Sequence, residues 1–203
     1  MNSLGFPDGD EVLDDLGQQT VEAFLSAVDG ARADYEEFRA AHPGWLGMMS
    51  KRCAANLIHD RAWAWLVRSV DGAPGIRVID QEPTRQILVG ERYVVRVKRH
   101  DPRDRIATYP THAAVAFWSN GRPALPGLDS YSLALGYRWD SDLRHVGPAV
   151  LSFRDGTDNP IWAMELQRNE AVPTGFSWTP VAPGLPELDL SGVTTGMEEE
   201  TGS

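Results

Sequence analysis

The chain has 203 residues and carries 29 Asp plus Glu against 19 Lys plus Arg, a formal net charge of -10 at pH 7, which argues against a surface built for non-specific binding of nucleic acid or anionic membrane. Hydrophobic residues make up 42%, with 7 Trp, 5 Tyr and 6 Phe, too much apolar content for a disordered chain and enough for one well-buried core. A single cysteine, Cys53, excludes an internal disulfide and fits the cytoplasm, and no stretch reads as a secretory signal or a membrane span.

Residues 1–17 are acidic and contain no Lys or Arg, which predicts a flexible leader. From Gln19 the pattern changes. Val21, Phe24, Leu25 and Val28 recur at helical spacing and Tyr35 and Phe38 continue the face, predicting an amphipathic helix that ends at His42-Pro43-Gly44-Trp45. A second helix, from about Met49 to Val70, is rich enough in large apolar residues to be expected as the central buried one, with Cys53 as core filling. Three β-type runs follow at 76–80, 84–90 and 92–99, the last two joined by Gly90-Glu91 as a two-residue hairpin loop.

After a charged loop, Thr111 is placed to cap a short helix within 109–118. Tyr131, Leu133, Leu135, Tyr137 and Trp139 alternate strictly and predict a half-buried strand over 130–139, with another over 146–154. The order α-α-β-β-β-α-β-β predicts an α/β chain of the α+β kind, its helices packed on a mixed, partly antiparallel sheet. One domain over 18–180 is expected, followed by an acidic Pro/Gly-rich tail at 181–203.

One run stands against the acidic background. Between Arg85 and Arg105 seven Arg or Lys face three acids, and strand alternation puts Tyr93, Val95 and Val97 on one face with Arg92, Val94, Arg96, Lys98 and His100 on the other. A two-residue loop would pair Val89 with Arg92 and bring Arg85 opposite Arg96. Like charges facing across a ladder need an anion between them. It could come from Asp80, Glu82 or a leader acid as an internal ion network, from the acidic surface of a partner protein, or from the phosphate of a nucleotide or nucleic acid. Arg85, Arg92, Arg96, Lys98 and His100 are therefore the candidate binding residues, with Asp80, Glu82 and His112 as possible support.

Other motifs carry less. Ser152-Phe153-Arg154-Asp155-Gly156 is similar to the Gly-x-x-Asp-Gly stretch of dye-decolourising haem peroxidases, but those hold iron with a later histidine and every His here precedes the motif. Turn chemistry explains Asp155-Gly156 and Asn159-Pro160 better. His59-Asp60 resembles the paired ligands of metal phosphohydrolases without the further ligands those need, so a packed or exposed mid-helix histidine is expected. No metal, cofactor or catalytic residue is assigned.

The order helix, three strands, helix, strand resembles the PD-(D/E)xK nuclease-like fold, whose third strand bears an acid-x-Lys motif. Arg96-Val97-Lys98 stands at that place with arginine where the acid should be, and arginine cannot ligate Mg²⁺. The segments IHDRAWAWLVR, EPTRQILVG, RVKRHD, TYPTHAAVAF, LGYRWD and AVLSFRDG together resemble an uncharacterised actinobacterial family encoded beside helix-turn-helix regulators with a zinc-peptidase-like domain. That resemblance implies a toxin–antitoxin-like, prophage or defence locus and transfers no activity. The expected function is a non-enzymatic regulatory or interaction protein that binds an acidic partner or phosphate through the cationic strand. The alternative is an enzyme or toxin acting on nucleic acid, and no membrane partner is expected.

Overall fold

Two apolar helical stripes and an alternating strand pattern set the architecture. The computed structural model describes residues 5–81, 84–120, 130–140, 144–156, 160–169 and 175–181. Helix α1 (Gly9–Ala41) is capped by Asp8, whose carboxylate accepts from the Glu11 amide at 2.8 Å. It buries Val21, Phe24, Leu25, Val28 and Tyr35, the stripe that the sequence spacing marks. A short helix α2 (Pro43–Met48) follows, with no buried residue. Helix α3 (Lys51–Val70) starts on a Ser50 cap and buries Ile58, Trp63 and Leu66 against the same core. Each such fully buried large side chain contributes about 1.5–3 kcal/mol of transfer free energy.

The strands β1 (Ile76–Gln81), β2 (Thr84–Val89), β3 (Tyr93–His100), β4 (Tyr131–Asp140), β5 (His145–Phe153), β6 (Trp162–Asn169) and β7 (Gly175–Val181) form one seven-stranded sheet in chain order. Every neighbouring pair is antiparallel except β3 and β4. A parallel neighbour requires a crossover, and helix α4 (His112–Trp118) lies within it, capped by Thr111 as expected. The mixed sheet with packed helices is thus the predicted class, and apart from the added short helix α2 the helix-strand order holds as far as β5. Strands β6 and β7 extend it; Trp162, Met164 and Leu166 show the same alternation as β4. No helix among the described residues is long and apolar enough to cross a membrane.

Three expectations need correction. The stretch 1–17 is helical from Gly9, with Val12, Leu13 and Leu16 buried. The acids that suggested a mobile arm, Asp10, Asp14 and Asp15, occupy its exposed side. Gly17, at φ 75, turns the chain between this first arm and the rest of α1, a conformation that glycine adopts without a side-chain clash. Second, α1 rather than α3 has the longer buried face. Cys53 is exposed near the start of α3 rather than core filling. The third concerns the hairpin: Val89 pairs with Tyr93, so the loop is Gly90-Glu91-Arg92, with Gly90 at φ 59 and its amide bonded to the Gly75 carbonyl at 2.8 Å. Directly opposed residues of an antiparallel pair share a face, so a core valine belongs opposite Tyr93 and not opposite Arg92. The expected acidic tail at 182–203 lies outside the described residues.

If the first arm of α1 is part of the core, Leu13→Ala should cost about 2–5 kcal/mol and lower Tm by roughly 5–15 °C. Thermal unfolding followed by circular dichroism measures this. A change under 2 °C would return the arm to a dispensable leader.

Candidate anion-binding cleft

The corrected register separates the arginines that a two-residue loop would have opposed. Ladder pairing of β2 with β3 ends at Ile87↔Val95, while β3 continues alongside β4 to His100. Where the two strands part, α3 passes over the gap. The result is a cavity of about 560 Å³ lined by Arg52, Asn56, His59 and Asp60 from α3, Arg85 from β2, and Arg96, Val97 and Lys98 from β3.

Among the described residues, four cations therefore converge with one carboxylate. Arg85 donates to Asp60 at 2.6 Å and meets Asp80 at 3.2 Å, its cross-strand neighbour in β1. Both carboxylates are more than half exposed, so these pairs are worth little in water. Arg96 donates through Nε and Nη2 to the Gln86 side-chain oxygen at 3.0 and 2.9 Å, and its guanidinium carbon lies 3.5 Å from the centre of the Phe117 ring of α4. Gln86 and Phe117 hold the fork in place without neutralising it.

Lys98 is the least compensated of the four. Burial, and then the neighbouring Arg96, push its ammonium below the ordinary lysine range, and no carboxylate among the described residues opposes the shift. Burial alone lowers Arg96. His59 is likewise lowered by burial and then by Lys98, so its imidazole is neutral at pH 7. A bound anion would relieve all three at once.

The remaining candidate residues fall elsewhere. Arg92 is at the other end of β3, bonded to Asp15 at 2.5 Å and Glu11 at 2.7 Å; its hydrogen bond to Glu11 is the first cause of its raised pKa. A leader acid was expected between Arg85 and Arg96; the leader acids engage Arg92 instead, and they pin the first arm of α1 to the sheet. His100 lies two residues beyond Lys98 on the same face of β3 but is fully buried, 2.9 Å from the Ser152 hydroxyl, and its pKa is held down to about 3 by burial and then by Arg154 and Arg138. It cannot be a surface ligand. His112 is exposed on α4, and it does not line the cleft. Glu82 lies outside the described residues.

No family model, curated protein or solved structure matches the chain. Its own residues must carry the argument. Among the described residues no three His, Cys, Asp or Glu side chains gather as a metal cage. The cleft offers donors and positive charge, which suit phosphate or carboxylate oxygens. Sequence reading missed Arg52 and Asn56. Their signal was present as a polar stripe through Arg52, Asn56 and His59 at helical spacing, on the helix that was expected to be the central buried one.

Removing the uncompensated charge should stabilise the free protein. Lys98→Met is expected to raise Tm by a few degrees at pH 7, on the order of 1 kcal/mol. The lysine has a lower pKa folded than unfolded, so its penalty is full below the folded value and vanishes above the ordinary 10.5. The gap between variant and wild type should therefore narrow as pH rises through that window. Melting curves from pH 7 to 10.5 test this, and a variant less stable than wild type at pH 7 would contradict it.

Proposed function

We propose that the protein binds a small molecule bearing a phosphate or carboxylate group in the cleft between α3 and the parted ends of β2 and β3, in a regulatory rather than a structural role. The observation that carries this is Lys98, recessed beside Arg96 with no opposing carboxylate among the described residues. Natural proteins neutralise buried charge internally when structure is all that is required, as Arg92 is neutralised here by Glu11 and Asp15. A cleft of about 560 Å³ is of the size that takes small ligands.

A large acidic protein partner is less well supported. It would need the cations presented as one exposed stripe, and Arg92 and His100 are both withdrawn from such a stripe. The nucleic-acid reading is supported by the order α3, β1, β2, β3, α4, β4 and by the position of Lys98 on the third strand. Among the described residues it lacks oxygen ligands: Asp60 is the one carboxylate there that lines the cleft, and it is bonded to Arg85. Shared topology does not carry an activity across.

Isothermal titration with inorganic pyrophosphate tests the proposal. Wild type should bind, and Lys98→Met and Arg96→Gln should each weaken binding by about 10- to 100-fold, the value of a charge-assisted hydrogen bond. Affinity should fall as salt is raised, and Arg92→Ala should lower Tm while leaving affinity unchanged. Equal affinities for wild type and Lys98→Met would refute the assignment of this cleft. Tighter binding on adding Mg²⁺ that depends on Asp60 would favour the nucleic-acid reading.

A further inference from the structure

We propose that Lys98 is a nucleophilic amine that forms an imine with the aldehyde or ketone of an anionic carbonyl compound, whose phosphate or carboxylate is held by Arg52, Arg85 and Arg96. This rests on the anion-binding reading above and adds a covalent step to it.

The choice of side chain is the first support. Of the 19 basic residues other than histidine, only Lys51 and Lys98 are lysines. The other cations of the cleft are arginines, which supply charge and a planar fork but cannot deprotonate in a protein or condense with a carbonyl. A site that needed only a fourth positive charge would be served by a further arginine. Lysine alone brings an amine.

The surroundings favour its free form. A recessed amine beside another cation is the arrangement that activates a lysine for attack, since both burial and like charge disfavour the ammonium. Arg96 is that cation, fixed by Gln86 and Phe117. Burial and Arg96 act on Lys98 in that order.

The chemistry balances without an added reagent. The Nζ lone pair attacks the carbonyl carbon, the carbonyl electron pair moves to oxygen, and the carbinolamine then loses its hydroxyl as water to leave the C=N bond. One amine and one carbonyl give one imine and one water. A proton must leave nitrogen and another must reach the departing hydroxyl. His59, neutral at pH 7 and lining the same cleft, can carry both. The anionic group on the same molecule raises the local concentration of the carbonyl at Nζ.

Borohydride trapping with pyridoxal 5′-phosphate as the probe decides it, read by intact mass and peptide mapping, with pyridoxal as the probe that lacks phosphate. Exposed Lys51 is the internal control. Lys98 should be reduced onto the probe at a concentration at least tenfold lower than Lys51 and tenfold lower than with pyridoxal, and pyrophosphate should suppress the label. Lys98→Arg should lose the label whatever its affinity for pyrophosphate, and His59→Gln should slow labelling at saturating probe. Pyrophosphate binding together with equal labelling of Lys51 and Lys98 would overturn the imine proposal and leave the anion site standing. Neither binding nor selective labelling would overturn both.

Discussion

The molecule turns on where β2 and β3 stop being neighbours. A three-residue turn fixes Val89 opposite Tyr93, and from that register all else on these strands follows. Ile87, Val89, Tyr93, Val95 and Val97 go to the core, Arg85 comes to Asp60 on α3, and Arg96 meets Gln86 rather than another arginine. Beyond Ile87↔Val95 the ladder opens while β3 stays bonded to β4. An open ladder beneath a helix is what makes a cleft in an otherwise closed sheet.

Neighbouring positions on one face of β3 treat charge differently. Around His100 the buried polar groups bond to one another. Arg138 bonds Asp104 and Glu165, the Arg154 guanidinium reaches the Ser152 hydroxyl at 2.6 Å and the Asp104 carbonyl at 3.0 Å, and His100 shares that hydroxyl. Such a network locks β3, β4 and β5 and the loop carrying Asp104, because removing any member would strand another in a dry interior. At the cleft, among the described residues, the cations outnumber the acids and Lys98 has no acid of its own. Within one strand, then, charge is closed off at His100 and left open at Lys98. That contrast is why we read the first as scaffold and the second as site.

Much of this was legible in the sequence. The helical stripe from Val21, the Thr111 cap and the alternation from Tyr131 gave the elements, because each is a local pattern with one physical solution. The cationic strand gave Arg85, Arg96 and Lys98. Arg92 and His100 share their face by parity yet belong elsewhere, since alternation fixes the side of a sheet and not what covers it. Helix α1 covers Arg92 with two acids, and β5 covers His100 with Ser152. The first arm was misread because acidity was weighed over the spacing of Val12, Leu13 and Leu16. Arg52 and Asn56 show in the sequence as a polar stripe, but what they face depends on how α3 lies over a gap in the sheet, a tertiary fact.

The central claim is that the parted strands hold an anion, and the most direct measurement is the position of a heavy anion in a crystal. In crystals soaked with tungstate, the account predicts an anomalous peak within hydrogen-bonding reach of Lys98 Nζ and the Arg96 guanidinium, absent from crystals of Lys98→Met. Ordered tungstate at other sites with none in the cleft, at concentrations where those sites fill, would contradict it.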